Sequence, residues 1–462
     1  MDKPQILLTE KSPLIPAKPS AFDSLRAYSS SFRELMKSPK DLWYLYAFEL
    51  TAYCAATMIV LSMSIYFTEV LDFSDLDAGF LIAGFGVSGV FVSIGLGHYI
   101  DRYGIKKSLL LANSFGILNF ALLFIFENRY AQVFIIYTFC SIALSLQLPT
   151  AKLAVKKYTV ESVRSLGYSI FYMAIFTGAA LSGATVDFIL SLGDTNVATF
   201  KWVFVVGFFE YVIAAIIALK LRELDYENHG EEEIDLLHKE VTGWEHTKES
   251  LSLKSFWRFF ILTLLLVIVK AVYKHVFVTL PIFMYREIGE GAHFGYMLAV
   301  HKVFMIIAIP LFTMLIYYFN FYTLLAIGSL FSAIAFIPLM IAASYGSVLF
   351  FIFLVSLGEA IYAPRLIDYT LQVAPKGREG VFLAVAASPL ILSVIVAGLV
   401  AGILLDSYCP DDGERECWKM WAWISGMTAL MPILMIVFRK YLEQPEHEDN
   451  PYMPCAKKSK EN

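Results

Sequence analysis

The chain has 462 residues, of which 58% are hydrophobic and only 17% charged, with a net charge of −5 and a mean hydropathy of +0.63. A soluble domain carries roughly a quarter charged residues, so this composition excludes an ordinary globular protein. No basic domain or aromatic-basic array points to nucleic acid, the five cysteines lack metal-ligand spacing, and no nucleophile–base array or phosphate loop emerges, so neither an enzyme nor a cofactor is expected.

Residues 1–41 are polar and proline-containing, with no apolar stretch beside a cleavage site, so helix insertion rather than a cleaved signal peptide is expected. Within this tail Glu10, Leu14 and Ile15 fit the acidic dileucine pattern [D/E]-x-x-x-L-[L/I]. Adaptor proteins that sort cargo to endosomes and lysosomes read that pattern, which makes them candidate partners. A spanning helix needs about 20 mostly apolar residues. Windows of that length predict spans at 42–66, 78–100, 107–126, 131–151, 166–190 and 201–221, then 257–284, 293–317, 321–343, 347–372, 380–405 and 418–438. The runs are continuous rather than alternating, which excludes a membrane β-barrel. A hydrophilic segment, 222–254, carries Glu231, Glu232 and Glu233 and separates six spans (42–221) from six more (255–440); residues 441–462 form a second polar tail.

Basic residues set the orientation. Arg26, Arg33, Lys37 and Lys40 precede the first span, Arg102, Lys106 and Lys107 follow the second, and Lys152, Lys156, Lys157 and Arg164 follow the fourth. The opposite loop at 67–77 holds Glu69, Asp72, Asp75 and Asp77 and no basic residue. Both tails and the central linker are therefore expected in the cytoplasm. Cys409 and Cys417 share one loop on the other side, where an oxidising compartment would permit a disulfide.

A charge at the bilayer centre costs on the order of 3 kcal/mol, so each one inside a span needs a reason. Glu49 lies in the first span with Tyr53 one turn on, Glu210 in the sixth, and Glu359 mid-way through the tenth. Lys270 and Lys274 are four apart on the seventh and share one helix face. His275 adjoins them, and His301 and Lys302 sit in the eighth. Glu49, Lys270, Lys274 and Glu359 read either as cavity-lining groups or as paired charges that lock helices. Arg365 and Asp368 read as a local pair, and Glu210 and Lys302 as pairing or snorkelling groups. His275 and His301 serve either as hydrogen-bonded core residues or as proton acceptors. Pro149, Pro281, Pro310, Pro338, Pro364 and Pro389 are expected to kink spans, and small residues such as Gly183 and Gly398 to allow close helix approach.

The gap between the second and third spans carries Gly97, Asp101, Arg102, Gly104, Lys106 and Lys107 in the spacing G-x-x-x-D-R-x-G-x-[K/R]-[K/R]. It resembles the loop between helices 2 and 3 of the major facilitator superfamily. That likeness implies an all-α membrane protein of twelve helices in two six-helix bundles, working by alternating access, with Asp101, Arg102 and Lys106 as a cytoplasmic gate. Three further stretches are similar to the proton-coupled oligopeptide transporter family. Phe171-Tyr172-Met-Ala-Ile175-Phe-Thr-Gly178 resembles its F-Y-x-x-I-N-x-G signature, with Phe176 in place of asparagine. Gly358-Glu359 resembles the segment whose glutamate receives the peptide amino terminus, and Phe48-Glu49-x-x-x-Tyr53 the end of E-x-x-E-R-F-x-Y-Y. The chain has Tyr46, Leu50 and Leu148 where that family carries a glutamate, an arginine and a lysine.

The resemblance implies secondary transport of a small organic solute, peptides or amino acids first, with a proton as co-substrate. Glu359, Lys270, Lys274, Tyr53 and Tyr172 are the expected substrate contacts. Glu49, Glu359, His275 and His301 are the expected proton sites. Transport of an unrelated small anion on the lysines, or a transporter-like receptor without turnover, are the alternatives. The expected location is the plasma membrane or the endosomal or lysosomal membrane.

Overall fold

In a computed structural model of the chain, residues 32–193, 195–223, 254–289, 291–315, 321–373 and 379–442 are described. The dileucine residues Glu10, Leu14 and Ile15 and the acidic run at 231–233 lie outside them.

The described chain is helical throughout, and the expected spans fall on helices. These are α1 (Lys40–Ile65), α2 (Asp75–Ile125), α3 (Arg129–Ile135), α4 (Ser141–Tyr158), α5 (Glu161–Leu190) and α6 (Val197–Leu219) in the first half. The second half holds α7 (Lys254–Val278), α8 (Leu280–Glu287), α9 (Phe294–Leu315), α10 (Phe321–Ile334), α11 (Ile337–Ile341), α12 (Tyr345–Val373), α13 (Glu379–Tyr408), α14 (Cys417–Val437) and α15 (Arg439–Leu442). Among the described residues nine helical stretches are long and apolar enough to cross a membrane, with shorter apolar helices at Phe294–Ile309 and Leu392–Tyr408. Large apolar side chains such as Trp202, Ile307 and Ile436 point outward. Water would penalise that surface, whereas hydrocarbon does not, so the molecule is an integral multi-pass membrane protein.

The helix ends follow local chemistry. Ser74 caps α2 by accepting the Asp77 amide, Asn128 caps α3 by accepting the Tyr130 and Ala131 amides, and Asn196 caps α6 at Thr199. Inside the spans, the Thr57, Ser62, Thr150 and Thr428 hydroxyls donate to carbonyls one turn back, so none of these four faces an apolar wall unpaired.

Several spans bend or break, two of them at prolines expected to kink them. The second and third are one long helix bent at Gly104, whose φ of 79° and ψ of −177° suit glycine. Gly97, the other glycine of that motif, keeps helical backbone. The span expected at 257–284 breaks at Thr279, just before Pro281, and the one at 321–343 breaks before Pro338. A one-turn π segment ends the first at Tyr66–Val70, and another interrupts the fourth at Ile136–Cys140.

The two bundles meet where α2 packs on α13 and α5 on α9. Glycine makes both contacts possible. A Cβ on Gly79 would lie 2.5 Å from the Gly398 carbonyl oxygen, and one on Gly295 would overlap the Gly183 carbonyl. On this same face, Arg286 of α8 reaches across to α2, donating to both Asp75 oxygens at 2.7 and 2.8 Å. It also lies 3.6 Å from Glu69. Asp187 of α5 accepts the Gly295 amide at 3.3 Å and sits 3.1 Å from His293 Nδ1. Burial opposes the Arg286 charge, but the Asp75 carboxylate and its acidic neighbours hold the guanidinium above its ordinary pKa. The space between the bundles is thus shut at the Arg286 face. Nearby, the sulfurs of Cys409 and Cys417 are joined, closing the loop between α13 and α14.

Candidate functional site

Charged and polar side chains converge from both bundles toward the interface between them. On the second bundle, Lys270 Nζ of α7 donates to Glu359 Oε1 of α12 at 3.1 Å. That ammonium also lies 5.3 and 5.1 Å from the ring centres of Tyr273 and Tyr362. Both rings present a negative face to it, which offsets part of its desolvation. Tyr273 is fixed in turn by its hydroxyl bond to Ser332, 2.8 Å long. Lys274 and Lys302 lie within electrostatic range of the same carboxylate and of each other. Lys302 Nζ sits 4.6 Å from the centre of the Phe277 ring and 5.6 Å from that of Phe176 on α5, across the bundle interface. His301 bonds Ser356 through Nδ1 at 2.7 Å, while its Nε2 is buried without a described partner.

The first bundle supplies the facing wall. Glu49 is fully buried; its Oε2 accepts the Gln147 amide at 3.3 Å, and its Oε1 has no described hydrogen bond. Tyr53 lies within range of Glu49 and Tyr172. Tyr172 stacks on Phe176 at 6.4 Å, and Lys152 Nζ stands 5.9 Å from its ring centre. Glu210 is set apart, its Oε1 accepting from the Cys54 thiol at 3.3 Å.

The structure therefore gathers Glu359, Lys270 and Lys274 on one wall, and Glu49, Tyr53 and Tyr172 on the other. His301 joins the former group. His275 does not: its Nδ1 bonds Thr279 one turn along at 2.7 Å, which makes it a buried helix-end residue. Sequence reasoning missed Gln147 and assigned Lys152 to orientation alone. A polar amide two residues before Pro149 was the available signal.

The gate motif is seen in part. Gly104, Lys106 and Lys107 are described, whereas the side chains of Asp101 and Arg102 lie outside the described residues. Beyond the Gly104 bend, the freed amides of Ile105 and Lys106 donate to the Glu223 carboxylate at 3.1 and 2.7 Å. Lys106 Nζ donates to the Leu219 carbonyl at the end of α6, 2.6 Å away. Both ties stay within the first bundle, so the described part of the motif fastens α2 to α6 rather than reaching the second bundle. Lys107 is exposed. Beside Glu223 in sequence, Arg222 forms a paired contact with Asp41 of α1, 2.7 Å at its shortest.

An apolar groove of about 490 Å³ between α10–α11 and α12 is lined by residues such as Ile337, Pro338 and Phe350. It holds no ionisable group and lies apart from this cluster.

A family model described as Major Facilitator Superfamily matches residues 45–316 and 262–453. The chain belongs to that superfamily. Its members are transporters rather than enzymes, and the all-α fold in two bundles agrees with solved structures. A POT family transporter in complex with 5-aminolevulinic acid superposes with a TM-score of 0.69 at 15% identity, covering 89% of this chain and 97% of that one. A POT family transporter in complex with a thioalcohol-conjugated peptide gives 0.69 at 14% identity, with the same coverage. A mutant of the nucleoside transporter NupG gives 0.68 at 12% identity, covering 87% of this chain and 100% of that one. No curated protein matches the sequence. At these identities the likeness establishes the fold of this superfamily member and leaves its cargo to the site.

Proposed function

We propose that this transporter moves a small organic solute bearing an amine and a carboxylate, a peptide or amino acid first, and that protons drive it through alternating access. The observation that carries the reading is the Lys270–Glu359 pair with Lys274 and Lys302 beside it. An ion pair in a chamber wall can be exchanged. A substrate amine, or a proton, takes Glu359 and releases Lys270 and its neighbours to hold the substrate carboxylate. Tyr53 and Tyr172 face this pair as hydrogen-bond donors. Glu49 is a second proton site, since a buried carboxyl with one unpaired oxygen is best accommodated in its neutral form. His301 is a further acceptor beside Glu359 through its free Nε2. Of the small molecules in the POT family complexes named above, 5-aminolevulinic acid carries both groups.

The Gly104 face is assigned to the cytoplasm, together with residues 1–41, 222–254 and 441–462, because the basic residues gather there. The Arg286 face is then extracellular or lumenal. Glu10, Leu14 and Ile15 would direct the protein to endosomes or lysosomes; replacing Leu14 and Ile15 by alanine should move it to the cell surface, and an unchanged distribution would remove the signal.

Transport of a simple anion on the same lysines is the second reading. Competition separates them in reconstituted vesicles. Dipeptides should compete for uptake if Glu359 receives an amine, whereas a simple anion site ignores a free amine. Absence of any solute flux would favour a receptor.

A further inference from the structure

The second bundle's side of the interface holds more positive charge than a simple zwitterion can answer. Glu359 is the one carboxylate that the described residues of α7, α9 and α12 place beside Lys270, Lys274 and Lys302. It is bonded to Lys270, so two ammonium groups are left over. Among the described residues no hydrogen bond or ion pair takes up Lys274 or Lys302. Lys302 meets only aromatic faces, those of Phe277 and Phe176. The opposite wall does not redress the balance. Glu49 is buried against Gln147, and the cation nearest Tyr172 is another lysine, Lys152. Leaving such charges unanswered in a low-dielectric environment is costly. The favourable state is the one in which a ligand brings the missing negative charge.

We propose that the preferred cargo carries, besides its amine, at least two acidic groups: an amino acid or short peptide with an acidic side chain rather than a neutral one. This deepens the function proposed above and rests on it. The amine takes Glu359 and frees Lys270. One carboxylate is held on the α7 face by Lys270 and Lys274, and the second reaches Lys302 at the bundle interface. Because Lys302 also contacts α5 through Phe176, the second acidic group is read where the two bundles meet.

The test compares two peptides that differ only in that group. Binding of Ala-Glu and of its near-isosteric amide Ala-Gln is measured by calorimetry on the purified full-length protein, with K274Q, K302Q and the charge-retaining K302R alongside. A charge-assisted bond to a lysine predicts that Ala-Glu binds wild type at least about tenfold more tightly. K302Q should bring the two affinities together and K302R should keep them apart; K274Q should narrow the gap. Equal affinity of wild type for the two peptides overturns the inference while leaving an amine–carboxylate transporter intact. If neither peptide binds, the functional reading itself fails and this one with it. The wild-type ratio decides the matter even if a variant does not fold.

Discussion

Glu359 sits among three lysines but is bonded to one, and this asymmetry sets what each substitution should do. E359Q leaves Lys270 facing Lys274 and Lys302 with nothing to offset them. K270Q leaves Glu359 with two cations still in range. Breaking a fully buried pair costs about 3–5 kcal/mol. The Lys270 and Glu359 side chains are 10% and 19% exposed, so a smaller cost, roughly 1–3 kcal/mol, is expected for E359Q. K270Q should cost less, and the double variant less than E359Q alone. Thermal unfolding of the purified variants checks the order; a larger loss for K270Q would contradict the geometry. Glu359 and the lysines of α7 were legible in the sequence because a charge in an apolar run calls for a partner. Gln147 was not, since a neutral amide carries a lower penalty and stands out less. Lys152 was hidden by a sufficient explanation of another kind, its place at the basic end of α4. His275 was open to two readings, a hydrogen-bonded core residue or a proton acceptor, and its bond to Thr279 matches the first.

At the scale of the helix, the bend at Gly104 is the element with the sharpest sequence requirement. Its backbone lies where a side chain costs about 1–3 kcal/mol, and a Cβ there would stand 2.9 Å from the Glu223 carboxyl group. Glu223 supplies the missing cap for the amides of Ile105 and Lys106, a contribution of roughly 1 kcal/mol by analogy with ordinary caps. G104A should therefore destabilise the protein more than E223A. Combining them should cost less than the sum, because the second change removes the group that the first one strikes. Chemical or thermal unfolding reads this directly, and strict additivity would show that strain and cap are independent. The motif spacing identified this turn, but its capping partner sits 118 residues away, beyond the reach of local pattern. The break at Thr279 was foreshadowed by Pro281, but the π turn at Ile136–Cys140 was illegible, because apolar composition is the same on either side of it and spacing cannot locate a one-residue change of helical pitch.

At the scale of the whole molecule, glycine contacts and buried ion pairs hold the two bundles together at the Arg286 face. The long apolar helices were readable because lipid demands them, and the superfamily because the Gly97–Lys107 motif resembles that of its members. Which face is closed was not, because the contacts that close it join residues such as Asp75 and Arg286, 211 positions apart. The acidic loop at 67–77 was legible only as a marker of orientation, though Glu69 and Asp75 also answer Arg286. The central claim is that an exchangeable Lys270–Glu359 pair couples protons to solute movement between the bundles. Uptake of a labelled dipeptide into proteoliposomes, with and without an inward proton gradient, tests it most directly when wild type and E359Q are compared at equal incorporation. The gradient should drive accumulation by wild type and have no effect on E359Q; accumulation that is unchanged by the gradient in wild type, or gradient-driven uptake by E359Q, would contradict the account.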